Sequence, residues 1–167
     1  MITLNTPFTA YDLVNISRIF ETAEEIFFDM DNVLVDFSGH YQKLTNKSWN
    51  KSDNDRWENI TDWNDFFLNA PPLPIGVHLW SIAKHHHKPI VLGAIRGDKV
   101  ECMDSKLRWS KRILGSDTRI TLVNHPELKK YLSAKKRVLV DDSKKNCYDW
   151  ELLGGTAIHI GVDSSTL

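Results

Sequence analysis

Apolar and polar residues fall into blocks along the chain, and the period of each block predicts an element. Thr9-Ala10-Tyr11-Asp12 is a capping-box-like opening in which Asp stands in for the usual Glu or Gln, and Leu13, Ile16 and Phe20 follow at helical spacing. A helix is expected over 10–23. Ile26-Phe27-Phe28 is a wholly apolar run that stops at Asp29-Met30-Asp31-Asn32, the pattern of a buried strand running into a polar loop. Over 38–70 the pattern changes, with Trp49, Trp57, Trp63, Phe66 and Phe67 spread among Asn, Asp, Lys and Ser without alternation. This predicts a small helical insertion, closed by Pro71, Pro72 and Pro74 because proline cannot continue a helix and restricts the residue before it.

The second half repeats a strand-helix rhythm. A helix over 75–86 leads to a strand at 89–94, and a helix over 99–114 ends at Gly115. Lys106, Arg108, Lys111 and Arg112 are expected on the exposed side of that helix, with Met103, Leu107 and Leu114 on the other. A strand near 120–123, a short helix from Glu127, and the run Arg137-Val138-Leu139-Val140 ending in Asp141-Asp142 come next. Ser143 then caps a helix carrying Cys147, Trp150 and Leu153, Gly154-Gly155 stops it, and 157–160 forms a last strand. Apolar strands alternating with helices predict an α/β fold with a Rossmann-like parallel sheet covered on both faces, and ligands in such sheets sit beyond the carboxyl ends of the strands.

Composition narrows the function classes. A chain of 167 residues with 41% hydrophobic and 26% charged residues can build one core, which excludes wholesale disorder. With 21 Lys and Arg against 22 Asp and Glu, no global positive field favours long nucleic acid or an anionic membrane. A small-molecule partner fits better, and a homodimer stays open. Cys102 and Cys147 form no metal or CxxC pattern and read as free packing thiols. No apolar run approaches the ~20 residues that span a bilayer, and the polar start lacks a signal-peptide pattern, so a cytoplasmic location is expected. His85-His86-His87 invites a metal reading, but consecutive side chains do not converge on one ion, and a solvated turn is expected there.

Two strands that read as buried each finish in a pair of acids, Asp29 with Asp31 and Asp141 with Asp142, and a parallel sheet brings both pairs to one edge. Such carboxylates repel one another unless a cation sits among them, and hard oxygen ligands suit Mg²⁺. The plainer reading of any one Asp is a cap for the following turn.

The segment Phe27-Phe28-Asp29-Met30-Asp31-Asn32-Val33-Leu34-Val35-Asp36-Phe37 resembles the first motif of the haloacid dehalogenase superfamily in its phosphatase form. Together with Trp57, Phe66-Phe67, Pro72, Val138-Leu139-Val140-Asp141-Asp142, Asn146, Trp150 and Gly154-Gly155, it is most similar to the 5'(3')-deoxyribonucleotidase-like branch. The resemblance implies a core of residues 25–37 and 71–167 with a helical cap at 38–70 inserted after the first strand, and it leaves 1–24 as an N-terminal helical extension without a counterpart. It implies Asp29 as nucleophile and Asp31 as general acid and base, with Mg²⁺ held by Asp29, the backbone carbonyl of Asp31, and Asp141, supported by Asp142. It implies a phosphate-binding lysine before the last acid pair. Lys130 fits the family's spacing to a leucine two residues on, Lys129 is the alternative, and either could be an ordinary solvated lysine. The family's second motif carries Thr or Ser where this chain has Gly93, so the backbone N–H groups of Gly93 and Ala94 and the side chain of Arg96 are the expected phosphate contacts. Phe37 is the expected substrate contact, the other insertion aromatics forming the cap's own core. The implied activity is removal of phosphate from nucleoside monophosphates. The alternatives are another small phosphate ester, a nucleic-acid end, or a non-catalytic metal and phosphate binder in which Gly93 marks lost turnover.

Overall fold

The computed structural model describes residues 1–5, 8–49, 54–95 and 101–161, so the expected phosphate contact Arg96 lies outside the described residues. Six strands form one sheet: β1 (Ile2–Asn5), β2 (Glu25–Phe28), β3 (Ile90–Ala94), β4 (Arg119–Val123), β5 (Arg137–Asp141) and β6 (Thr156–Gly161). Their order across the sheet is β1-β6-β5-β2-β3-β4, and every neighbouring pair is parallel. The α/β parallel-sheet reading is therefore correct. Among the described residues no helix is long and apolar enough to cross a membrane.

Alternation along the central strands fills two cores. Ile26, Phe28, Val91, Val138 and Val140 point to one side, where they join Ile16 and Phe20 of α1 (Ala10–Thr22) and Leu79, Trp80 and Ala83 of α4 (Pro74–His86). Phe27, Ile90, Leu92, Leu139 and Ala157 point to the other side, against Cys147 and Trp150 of α6 (Lys144–Leu152). Burial on both faces is why these strands read as unbroken apolar runs. At about 1.5–3 kcal/mol per large side chain, the two cores supply the driving force for folding.

Between β2 and α4 the chain forms α2 (Phe37–Thr45), a 3₁₀ turn (Asn54–Trp57) and α3 (Trp63–Asn69). This segment packs on α5 (Glu101–Leu114), where the Trp109 indole N–H donates to the Ala70 carbonyl at 2.8 Å and Arg112 donates to the Leu68 carbonyl. The two connections between this segment and the sheet run side by side, with Asp36 N–H donating to the Pro71 carbonyl at 2.9 Å and Val35 bridging to Pro72.

Three sequence expectations change. The segment 1–24 is more than a helical extension: Ile2–Asn5 is an edge strand in parallel register with β6, so the insertion follows the second strand. Of Ile2, Thr3 and Leu4 only Leu4 is buried, which gives no readable period. The phase of α5 also differs. Cys102, Lys106 and Trp109 face inward while Met103 is exposed, because this side of the helix is set by Trp109 and by an ionic partner for Lys106. The histidine run closes α4 instead of forming a turn: His85 Nδ1 meets the Ser81 carbonyl at 2.8 Å and His86 Nε2 meets Ser17 Oγ at 3.0 Å. Their different partners leave no shared ion site.

Helix α4 begins directly under the loop that follows β2. Gly76 lies so close to it that a Cβ there would fall 1.7 Å from the Val33 carbonyl oxygen. Substituting Gly76→Ala is expected to cost about 1–3 kcal/mol, the penalty of overpacking against an element that cannot yield, and urea denaturation of the two proteins measures it.

Candidate active site

The register of the central strands assembles the site. Phe28 pairs with Val140 and the Asp29 N–H donates to the Val140 carbonyl at 2.8 Å, so Asp29 and Asp141 emerge beside each other at the carboxyl edge. After Asp29 the chain folds into a tight loop in which the Met30 carbonyl accepts from the N–H groups of Val33, Leu34 and Val35, with Asn32 in the left-handed region at φ 59°. That loop carries Asp31 back over the sheet edge.

Lys129 joins the acids. It sits in the 3₁₀ helix Pro126–Leu132, only 2% exposed, with its Nζ 2.7 Å from Asp29 Oδ1 and 2.8 Å from Asp141 Oδ2. Asp141, fully buried, also accepts from Ser143 N–H at 2.8 Å and from Asn146 Nδ2 at 3.1 Å. Lys130, preferred on spacing, borders the same cleft, but Asp29 and Asp141 pair with Lys129 instead, and the Lys130 Nζ lies 5.5 Å from the Tyr131 ring. In a 3₁₀ helix residues three apart share a face, so the residue above the half-buried Leu132 is Lys129 and not Lys130.

One ammonium cannot neutralise the acids gathered here. Burial pushes the Asp29 carboxyl up from 3.8 to about 8; Lys129 opposes the rise, and Asp141, Asp142 and Asp31 add to it. Burial also disfavours charge on Lys129, but Asp29 and Asp141 more than offset this and hold it above the ordinary lysine range. Asp29, Asp141 and Asp142 bring carboxylate oxygens within 4.8 Å of one another. An all-oxygen, acid-rich set left under-neutralised by Lys129 fits a hard divalent cation such as Mg²⁺. The Asp31 carboxylate is outside this set, and the Asp142 carbonyl accepts from His159 Nε2 at 3.0 Å.

Asp31 has its own partner, which sequence reading missed. Lys106, 1% exposed, donates to Asp31 Oδ2 at 2.7 Å and to the Ala94 carbonyl at 2.9 Å, with its Nζ 4.4 Å from the Phe67 ring. Asp31 Oδ1 meets no hydrogen-bond partner among the described residues. The spacing Cys102, Lys106, Trp109 is i, i+4, i+7, which places the lysine on the inward face and could have exposed its role.

The acids open into a cleft of about 640 Å³ bordered by Asp29, Asp31, Trp49, Trp57, Ala94, Lys129 and Asn146. A second recess of about 270 Å³ shares Asp31, Trp57 and Ala94 and continues to Trp63, Phe67 and His125. Trp57 and Trp63 stack at 5.4 Å. Phe37 borders the cleft but is nearly all enclosed, with ring contacts to Trp49 at 4.8 Å and Phe66 at 5.2 Å, so it belongs mainly to the insertion's own core. Gly93 lies within β3 behind Met30 and Leu122 and does not border the cleft, whereas Ala94 does. Cys147 is packed beneath Asp141, and burial pushes its thiol up, as expected of an inert residue.

No protein-family model matches the chain, and no curated protein does. Its fold is shared with solved hydrolases. A haloacid dehalogenase-like family hydrolase from Streptococcus pneumoniae superposes with a TM-score of 0.54 at 14% identity, over 83% of this chain and 84% of that one. A structure named as a haloacid dehalogenase-like hydrolase from Burkholderia xenovorans LB400 does so with a TM-score of 0.50 at 16% identity, over 81% and 80%.

Two outcomes follow from this geometry. Lys129→Met leaves two buried carboxylates facing each other and is expected to cost about 3–5 kcal/mol, whereas Lys130→Met stays within about 0.5 kcal/mol, as measured by urea denaturation in EDTA. A carboxyl raised on folding contributes stability that is present below its unfolded value of 3.8 and is lost as pH rises through about 8. Metal-free protein is therefore expected to lose stability across that window, and Asp29→Asn to flatten the slope, read from urea midpoints at successive pH values.

Proposed function

We propose that this protein is a Mg²⁺-dependent phosphate monoester hydrolase of haloacid dehalogenase type that acts on nucleoside monophosphates. The carrying observation is the separation of two carboxylates by environment: Asp29 lies against Lys129 at 2.7 Å in the acid cluster, and Asp31, two residues on, is held apart by Lys106 at 2.7 Å. Two acids of one loop can then take different roles.

Asp29 is suited to attack phosphorus, forming an aspartyl-phosphate as the ester P–O bond breaks and its electron pair leaves with the alkoxide. Asp31 gives that alkoxide a proton and then takes one from the water that attacks phosphorus, which frees inorganic phosphate and regenerates Asp29. Lys106 fixes Asp31 Oδ2, while the buried Oδ1 has no hydrogen-bond partner among the described residues and is the oxygen left for proton transfer. Lys129 keeps positive charge beside the equatorial oxygens, the main need of phosphoryl transfer. Asp29, Asp141 and Asp142 would hold the Mg²⁺, with the Asp31 carbonyl the further ligand the resemblance implies. When bound, the ion supplies electrostatic stabilisation of charge on the transferring phosphoryl group.

The substrate class rests on the recess beyond Asp31. A leaving group protonated by Asp31 faces the recess lined by Trp57, Trp63 and Phe67, and Trp57, the half-buried one of the three, is the aromatic ring on which a planar base would stack for ~1–3 kcal/mol with little selectivity. Two buried cysteine thiols outside any disulfide fit the reducing cytosol in which such substrates occur. Inorganic phosphate release from 5'- and 3'-nucleoside monophosphates and simple sugar phosphates tests the reading. Release is expected with Mg²⁺, none with EDTA, and none from Asp29→Asn. Release from sugar phosphates alone would remove the nucleotide assignment, and a folded, Mg²⁺-binding protein that releases nothing would favour a non-catalytic metal and phosphate binder.

A further inference from the structure

The opposite edge of the sheet holds a second polar recess, which the proposed reaction does not use. Trp80 and Lys84 of α4, His87 and Lys88 in the link to β3, Asp117 ahead of β4 and Arg119 at its start border about 170 Å³. Strand β3 separates this recess from the catalytic cleft by about 13 Å, its length at 3.3 Å per residue.

Two buried nitrogens there lack partners. Trp80 is 3% exposed, and its indole N–H meets no acceptor among the described residues. His87 Nε2 is likewise buried and unpartnered. A buried donor without an acceptor is costly, and native structures leave few of them. The Trp80 ring is held by its edge contact with Phe28 at 5.3 Å, so the indole is fixed where it lies.

Charge around these nitrogens is positive. Lys84, Lys88 and Arg119 oppose the single acid Asp117, an excess of two positive charges. Lys84 Nζ reaches only the Leu114 carbonyl, at 3.4 Å, and neither Lys88 nor Arg119 forms an ion pair among the described residues. Ammonium and guanidinium groups beside the buried indole N–H make a set that a small oxyanion completes, with the arginine able to bind it bidentately. The volume lies below the about 300 Å³ at which organic ligand pockets begin, so it suits an inorganic ion better than a nucleotide.

We propose that this recess binds a small tetrahedral dianion of the phosphate class, independently of the catalytic cleft. The test is ¹H–¹⁵N correlation NMR of the full chain in EDTA, with the indole resonance of Trp80 assigned through Trp80→Phe and inorganic phosphate as the probe. Chloride at matched ionic strength is the control. The Trp80 signal is expected to move saturably with phosphate and not with chloride, and to do so equally in Asp29→Asn. In Lys88→Glu/Arg119→Glu, where both positions are exposed and a dispersed spectrum reports folding, the midpoint is expected to rise at least about tenfold through loss of two charge-assisted contacts. A Trp80 signal that stays still, follows chloride equally, or keeps its phosphate response after charge reversal overturns the site. Loss of the response in Asp29→Asn would assign the ion to the cleft and overturn it as well.

Discussion

The buried ammonium of Lys129, wedged between Asp29 and Asp141, is the interaction on which the site rests. Parallel pairing of β2 with β5 forces two strand-end carboxylates together at the sheet edge, and hydrogen bonding in the ladder leaves them no room to separate. Without a cation between them, that edge would resist closing. The lysine comes from a separate 3₁₀ segment, so the acids also fix where this connection must pass between β4 and β5. Asn146 and the Ser143 N–H tie Asp141 to the start of α6, and the helix on the far face of the sheet is thereby aligned with the same charge.

Lys106 does for Asp31 what Lys129 does for Asp29, from the other side of the cleft. It lies on α5, the helix on which the inserted segment packs, and its Nζ faces the Phe67 ring of that segment. One lysine therefore ties together the loop after β2, the end of β3 and the insertion. The two carboxylates of the loop end in different electrostatic surroundings although only one residue separates them.

Much of this was legible. Ile26-Phe27-Phe28 and Val138-Leu139-Val140 announce themselves because a strand buried on both faces has no polar positions, and acids directly after such runs must lie at one edge. Local rules failed where a tertiary partner overrode residue type. Lys106 reads as solvated until Asp31 is known to lie opposite, and Lys129 and Lys130 cannot be told apart without knowing that the segment is 3₁₀. Phe37 follows the loop after β2 and suggested a substrate contact, but Trp49 and Phe66 enclose it. Strand β1 was hidden because Ile2 and Thr3 of this short edge strand are exposed and only Leu4 beside them is buried. Gly93 stood out as a missing hydroxyl, yet its place in β3 leaves only 3.1 Å to Leu122 for any Cβ, so the neighbouring side chains already occupy much of that space.

The paired connections at Val35-Asp36 and Pro71-Pro72 make the insertion modular. Because the chain leaves and rejoins the core at hydrogen-bonded neighbours, the sheet's closure does not depend on how many residues lie between them. Loop length enters the folding free energy only logarithmically, so segments of other sizes and surfaces could be exchanged at this junction at small entropic cost. Substrate range could then diversify by replacing the insertion, while the sheet and its acids stayed as they are.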